Sequence, residues 1–191
     1  MKIGLYPGSF NPFHNGHLAI AKQILHTTDL DQVWITVSPQ NPLKVDEVLL
    51  ADQDRLKMVE VGLRNEESII TSDFEFKLPK PSYTWRTLQE IRKQYPNYEF
   101  SLIIGADNLA NFHLWKDYQA ILDSTLVFVY PRENTIIDSE INHPNIQRVE
   151  MPLLDISATQ IRKVVADGNS IDNWVPEEVK DIIEKRGYYR T

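Results

Sequence analysis

The chain has 191 residues, with 20 Lys and Arg against 27 Asp and Glu, so its formal net charge is −7. This acidic balance argues against DNA or RNA as a partner, because binding to a phosphate backbone normally requires a basic surplus. A small phosphorylated ligand, which needs only a few local cations, stays compatible with it. The chain has no cysteine, which excludes disulfides and thiolate metal sites. It contains no apolar run typical of a signal peptide or a transmembrane helix, so we expect no membrane partner and a cytoplasmic location.

Short apolar runs alternate with segments of helical periodicity along the chain. The apolar runs predict strands at 3–6, 33–37, 69–74, 100–105 and 126–130 and a last strand around Val149. Helical spacing predicts helices at 16–26 and 52–64, one that ends at Pro96, one over 107–122, and two that stop at Gly168 and Gly187. Buried strands that alternate with helices indicate an α/β fold, a Rossmann-like doubly wound parallel sheet with helices on both faces. Without a convincing linker, we predict a single domain over 1–191.

A glycine-containing turn with two histidines follows the first predicted strand, where ligands of such sheets bind. It reads GSFNPFHNGH over residues 8–17 and opens a helix, whose free N–H groups favour a phosphate. His14 and His17 could donate hydrogen bonds to the same anion. The turn is neither a Walker A loop nor a dinucleotide fingerprint. A tight turn with surface histidines is the alternative, and with no accompanying carboxylate we predict no protein metal ligand.

A second polar segment, ISATQIR over residues 156–162, lies at the start of a late helix. Ser157 and Thr159 offer hydroxyls, and Arg162 offers a planar cation that suits phosphate oxygens. The alternative is structural, because Ser157 with Gln160 also fits a capping box.

Together these two segments resemble the N-terminal and C-terminal signatures of the nucleotidylyltransferase superfamily. Within it, SYT at 82–84 and GADN at 105–108 followed by Trp115 resemble bacterial nicotinate-nucleotide adenylyltransferases. PLK at 42–44 occupies the place of a Pro-His-Lys-like turn, with leucine instead of the usual histidine. By themselves, Thr84 and Asp107 could be helix N-caps and Trp115 a core residue.

The resemblance implies transfer of AMP from ATP to nicotinate mononucleotide, giving nicotinate adenine dinucleotide and pyrophosphate in NAD biosynthesis. It also implies Mg²⁺ that arrives with ATP. The residues implied in catalysis are His17, His14 and Arg162. Those implied in ATP binding are Gly8, Ser9, Phe10, His14, His17, Gly105, Asp107, Ser157, Thr159 and Arg162. Those implied in acceptor binding are Lys44, Thr84, Trp115 and Arg132.

Other readings of the same signatures stay open. A phosphopantetheine adenylyltransferase shares the N-terminal pattern but lacks the features at 82–84 and Trp115. A cytidylyltransferase is more distant, and a tRNA synthetase fragment should carry a Lys-Met-Ser-Lys-Ser-like loop that is absent here. A non-catalytic nucleotide-sensing module could share the fold, although intact His17 and Arg162 argue against it. The oligomeric state, including a homo-oligomer, is left open.

Overall fold

One parallel sheet organises the protein. The computed structural model describes residues 1–40, 48–132, 135 and 143–190. Within them the strand order is β3-β2-β1-β4-β5-β6, and every neighbouring pair is parallel. The strands are β1 (Lys2–Gly8), β2 (Gln32–Val37), β3 (Ile69–Ser72), β4 (Glu99–Gly105), β5 (Val127–Tyr130) and β6 (Ile146–Arg148). This order is that of a doubly wound α/β sheet, so the predicted fold class is confirmed.

Helices cover both faces of the sheet and bury a separate core against each face. One core is closed by α1 (Asn15–Thr27), α2 (Asp52–Gly62), α6 (Ala158–Ala166) and α7 (Glu177–Arg186). The other is closed by α3 (Thr84–Gln94), α4 (Ala106–Ala110) and α5 (Tyr118–Ser124). No helix in the described ranges is long and apolar enough to cross a membrane.

The central strands contribute to both cores because successive side chains of a strand point to opposite faces. In β4, Leu102 and Ile104 belong to the core under α3, whereas Ile103 belongs to the opposite core. Gly4 of β1 adjoins that opposite core, where an added Cβ would lie 2.7 Å from side-chain carbons of both Ile103 and Leu30. Glycine at this position therefore lets the helix layer pack closely on the sheet.

The predicted continuous helix over 107–122 is wrong. The chain instead forms α4, a 3₁₀ turn at Phe112–Leu114 and α5. Asp117 has φ 55°, in the left-handed region, and Trp115 is extended with ψ 140°, so neither can continue a right-handed helix. The break leaves Trp115 on a loop at the carboxyl edge of the sheet.

The ends of two predicted strands also differ. The predicted strand 69–74 ends at Ser72, whose hydroxyl accepts a hydrogen bond from the Phe74 amide at 3.3 Å. Such a side-chain turn competes with the strand ladder, and a 3₁₀ turn at Phe74–Lys77 follows. Val149 lies just after β6, although its amide still donates to the Val129 carbonyl at 2.9 Å.

Candidate active site

A cavity of about 470 Å³ opens at the carboxyl edge of the sheet, between the ends of β1 and β4. Five of the sequence-predicted site residues line it, namely Gly8, Ser9, Thr84, Gly105 and Trp115. Trp115 is half-buried and packs against the Phe112 ring, with centroids 4.8 Å apart. Thr84 is the first residue of α3, and Tyr83 rather than Thr84 occupies the N-cap position. The cavity lining therefore includes an aromatic side chain and the N-terminus of a helix.

Beside this cavity, His14 and His17 form a stacked pair at the start of α1. Their ring centroids are 3.6 Å apart, and the backbone amide of His14 donates to Nδ1 of His17 at 3.2 Å. Since Nδ1 accepts this bond, the proton of a neutral His17 ring lies on Nε2. His14 is the N-cap residue and is almost completely buried, and its Nδ1 makes no hydrogen bond in the described part of the chain.

Both histidines are held in the neutral form. Burial lowers the pKa of His14 to about 3, with a further contribution from the charge of Arg132. Burial, then His14 and then Arg132 lower the pKa of His17 well below its usual range. The pair therefore offers neutral N–H donors at neutral pH rather than imidazolium charge, and Arg132 supplies the cation.

The residues before the histidines form an apolar frame around His17. Phe10 meets the His17 ring edge-on at 4.9 Å, and Phe13 stacks on it at 5.7 Å. Phe10 has φ 48°, which non-glycine residues seldom adopt. A Cβ added at Gly8 would lie 2.9 Å from the Phe10 ring. Glycine at this position thus lets the Phe10 ring fold back over the end of β1.

The two signature segments meet in space. Arg162 of α6 donates to the backbone carbonyl of Asn11 at 2.8 Å and to the Thr159 hydroxyl at 3.3 Å. A Cβ added at Gly16 would lie 2.5 Å from Cγ2 of Ile156, so only glycine permits this approach. Segments that are far apart in sequence therefore form one surface at the N-termini of α1 and α6.

Ser157 also has the structural role of a helix N-cap. Its hydroxyl accepts from the Gln160 amide at 3.2 Å and caps α6. Thr159 is exposed. The lining of the cavity, as far as the chain is described, includes neither of these residues nor Arg162. The arrangement thus has two parts, the cavity at the sheet edge and a separate surface beyond the histidine pair.

A polar chain crosses the sheet edge from β4 to β1. Arg132 Nε lies 3.7 Å from the Asp107 carboxylate, and its Nη2 donates to the Tyr130 hydroxyl at 3.4 Å. The Tyr6 hydroxyl donates to the Tyr130 hydroxyl at 3.1 Å. At Gly105 an added Cβ would lie 2.4 Å from the Asp107 carboxylate, so glycine lets this carboxylate turn back towards the sheet. This chain places Arg132 where its charge reaches both histidines.

Sequence reasoning missed two buried ionic groups at the site. Arg55 of α2 is fully buried and donates to the carbonyls of Ser9 at 2.5 Å and Ser38 at 2.9 Å, on the loops after β1 and β2. It also pairs with Asp52 at 2.8 Å. Glu75, which is 3% exposed, lines the cavity. From the sequence alone, a charged residue on a helix face is expected to be exposed to solvent. Only the Asp52-x-x-Arg55 spacing indicates an ion pair.

Two further predictions on the site concern metals and Lys44. The described residues hold no cluster of three or more His, Asp or Glu side chains that could bind a metal ion. Lys44 lies outside the described residues.

The fold and the site define a nucleotide-binding α/β protein with a histidine pair at the first helix. In agreement, the model of the family described as cytidylyltransferase-like matches residues 5–164. The chain is 45% identical over 195 residues to a Flavobacterium johnsoniae protein, with 100% of both chains covered. It is 48% identical over 189 residues to a Cytophaga hutchinsonii protein, covering 99% of this chain and 98% of that one. Both relatives bear the name "probable nicotinate-nucleotide adenylyltransferase".

Solved structures agree on the fold. The Plasmodium falciparum nicotinic acid mononucleotide adenylyltransferase complexed with NaAD superposes with a TM-score of 0.85 at 21% identity, covering 98% of this chain and 97% of that one. From its sequence relatives, the chain belongs to the nicotinate-nucleotide adenylyltransferase family.

Proposed function

We infer that the protein transfers AMP from ATP to nicotinate mononucleotide, giving nicotinate adenine dinucleotide and pyrophosphate. A phosphate oxygen of the acceptor attacks the α-phosphorus of ATP, and the bond from that phosphorus to the pyrophosphate oxygen breaks. The attacking phosphate has a second pKa of about 6, so it is largely dianionic at pH 7 and needs no general base. The chemistry therefore requires positioning and charge stabilisation. The neutral histidine pair at a helix N-terminus, beside a cavity of about 470 Å³, carries this proposal.

In this scheme His17 is the principal donor to the reacting phosphate. Its Nδ1 is occupied by the His14 amide, so the Nε2–H remains to donate. Because burial keeps its pKa low, the ring does not change charge as the phosphate approaches. A preorganised neutral donor in an apolar frame is effective at stabilising developing charge. His14 orients this ring, and the backbone of Gly8, Ser9 and Phe10 contributes N–H groups alongside it.

The surface at α6 would hold the rest of the triphosphate. Arg162 and Thr159 are already paired at 3.3 Å, and the Ser157 hydroxyl stands at the helix start. The forked guanidinium suits two phosphate oxygens at once. ATP would enter as its Mg²⁺ complex, with the ion held by phosphates and water.

The cavity at the sheet edge would take the pyridine ring of the acceptor, stacked on Trp115. Backbone N–H groups at the start of α3, near Thr84, suit the carboxylate of nicotinate. Asp107 would accept from a ribose hydroxyl, Arg132 would face a phosphate, and Lys44 is a further candidate for acceptor binding. We further propose that the protein is a single domain in the cytoplasm. Its ligands are small molecules, and it binds no nucleic acid.

The first experiment separates catalysis from mere sensing of nucleotides. ATP and nicotinate mononucleotide are titrated calorimetrically, and pyrophosphate release is measured on the same preparation. We expect pyrophosphate in stoichiometric amounts with dinucleotide product. Binding of both ligands without any pyrophosphate would contradict the proposal and favour a non-catalytic module.

A further inference from the structure

One buried arginine ties together the loops that follow β1 and β2. The side chain of Arg55 is 0% exposed, and all five of its N–H groups donate hydrogen bonds. The acceptors are the Asp52 carboxylate and the backbone carbonyls of Ser9, Ser38, Pro39 and Leu50. Arginine alone among the side chains offers five donors in a rigid planar fork. Because every donor of this fork is used, it fixes the direction in which each of these carbonyls points.

The bond to Ser9 also determines where the next amide group points. In a planar trans peptide the C=O and N–H groups point in opposite directions. The Ser9–Phe10 peptide is trans, and its carbonyl points at Nη1 of Arg55 at 2.5 Å, so the Phe10 N–H points away from Arg55. Ser9 lines the cavity, and the Phe10 ring contacts His17. This amide donor therefore lies between the cavity and the histidine pair.

The amide group of Phe10 donates no hydrogen bond to any of the residues that the structure describes. Phe10 is nevertheless only 3% exposed, and buried backbone N–H groups are nearly always paired. Its φ of 48° lies in the left-handed region, which a phenylalanine adopts only where the surrounding contacts enforce it. The loop is thus held in an unfavourable conformation that keeps one N–H donor unpaired. Preorganised donors of this kind are typical of sites that stabilise developing negative charge.

We propose that Arg55 is a positioning residue for the transfer of AMP. By holding the Ser9 carbonyl, its guanidinium aims the Phe10 N–H at the α-phosphate of ATP. There this N–H and the Nε2–H of His17 both donate as negative charge develops. Arg55 itself touches neither substrate. The proposal rests on the proposed function, which brings the reacting phosphate to these N–H groups.

The first measurement follows the Phe10 amide directly. Ser9–Phe10 is the only Ser-Phe pair in the sequence, so protein made with ¹³C-carbonyl serine and ¹⁵N phenylalanine gives one selective NMR signal from this peptide. Nicotinate mononucleotide and α,β-methylene ATP form a complex that cannot transfer AMP, because a P–C bond replaces the bond that must break. In the wild type we expect these ligands to move the Phe10 amide proton downfield and to slow its exchange with solvent.

The second measurement tests the dependence on Arg55. Arg55→Lys keeps the charge but loses the fork, so the Ser9 carbonyl is no longer held. In this variant we expect the ligands to leave the Phe10 signal unmoved. We expect kcat to fall about 100-fold while each KM changes by less than about fivefold. Arg64→Lys, the same substitution at an exposed position, should behave as the wild type. Circular dichroism establishes that both variants fold.

Asp52→Asn is a milder variant of the same network, for use if Arg55→Lys does not fold. The Asp52 side chain is 31% exposed, and asparagine removes only the charge that holds Nη2 of Arg55. We expect kcat to fall about fivefold, the effect of weakening one hydrogen bond of ordinary strength, and the ligands to shift the Phe10 signal less than in the wild type.

A wild-type Phe10 signal that does not respond to the ligands, in protein that releases pyrophosphate normally, would overturn the proposal and leave the proposed function intact. An unchanged kcat in folded Arg55→Lys would overturn it as well, as would an unchanged kcat in Asp52→Asn if the lysine variant does not fold. Absence of pyrophosphate release with nicotinate mononucleotide in the wild type would remove the proposed function and this inference with it.

Discussion

The guanidinium of Arg162 donates a hydrogen bond of 2.8 Å to the backbone carbonyl of Asn11, across 151 positions of sequence. This bond joins α6 to the loop that carries the histidine pair. Tyr189 reinforces the same loop, because its hydroxyl donates to the Asn11 side chain at 2.8 Å. The position of the surface at α6 relative to the histidines is thus set by contacts between chain segments far apart in sequence.

Arg162→Lys should raise the KM for ATP by about 10- to 100-fold and leave the KM for the acceptor nearly unchanged. A lysine carries the charge but lacks the fork that can hold Asn11 and two phosphate oxygens together. Initial rates with each substrate varied in turn check this. Lys163→Arg, an exposed position on the same helix, is the control. Equal effects on both substrates would mean that Arg162 is only structural.

His17→Ala should reduce kcat/KM by about 10²- to 10³-fold, the range for loss of one preorganised donor. His26→Ala changes an exposed histidine of the same helix and should have no effect. Circular dichroism of both variants establishes that they fold. Near-normal turnover in a folded His17→Ala protein would refute the role of this side chain.

The histidine pair should make the fold sensitive to mild acid. Their pKa is lowered in the folded state, so below pH 6.5 the unfolded chain binds more protons and stability falls as pH decreases. From His14 alone, the free energy of unfolding should fall by about 1.6 kcal/mol between pH 6.5 and 5, because a full pH unit corresponds to about 1.4 kcal/mol and the unfolded histidine is already half protonated at pH 6.5. Urea unfolding at the two pH values measures this.

His14→Asn is the matched variant for the acid sensitivity, because asparagine can still cap the helix but does not titrate. We expect it to lose less stability than the wild type over the same pH interval. An identical loss in both proteins would place the acid sensitivity elsewhere.

Arg55→Met should destabilise the fold by about 3 kcal/mol or more, because the loop carbonyls of Ser9 and Ser38 and the Asp52 carboxylate lose a buried cation. Arg64→Met, at an exposed position, should change stability by less than about 0.5 kcal/mol. Chemical denaturation of both variants gives the comparison. If the two substitutions lower the free energy of unfolding equally, the buried hydrogen bonds of Arg55 contribute little to stability.

The sequence allowed prediction of the strands because buried parallel strands are continuous apolar runs. It also placed the two signature segments together, since loops that follow parallel strands share one edge of the sheet. The break at Trp115 could not be predicted, because the apolar spacing over 107–122 is that of a helix. The left-handed backbone conformation of Asp117 has no signal in the sequence. The burial of Glu75 could not be predicted either, since it results from tertiary packing and glutamate is usually exposed.

The most direct test of the account is pyrophosphate release with ATP and a panel of three acceptors. These are nicotinate mononucleotide, nicotinamide mononucleotide and phosphopantetheine, tested with the wild type and with Trp115→Ala. A mismatch of one buried polar group costs about 1–3 kcal/mol, and 1.4 kcal/mol is a factor of ten. We expect kcat/KM at pH 7 to favour nicotinate over nicotinamide by about 10²-fold or more, and Trp115→Ala to reduce both because stacking does not distinguish the ring substituents. Equal use of the two pyridine acceptors, or preferential turnover of phosphopantetheine, would contradict the account.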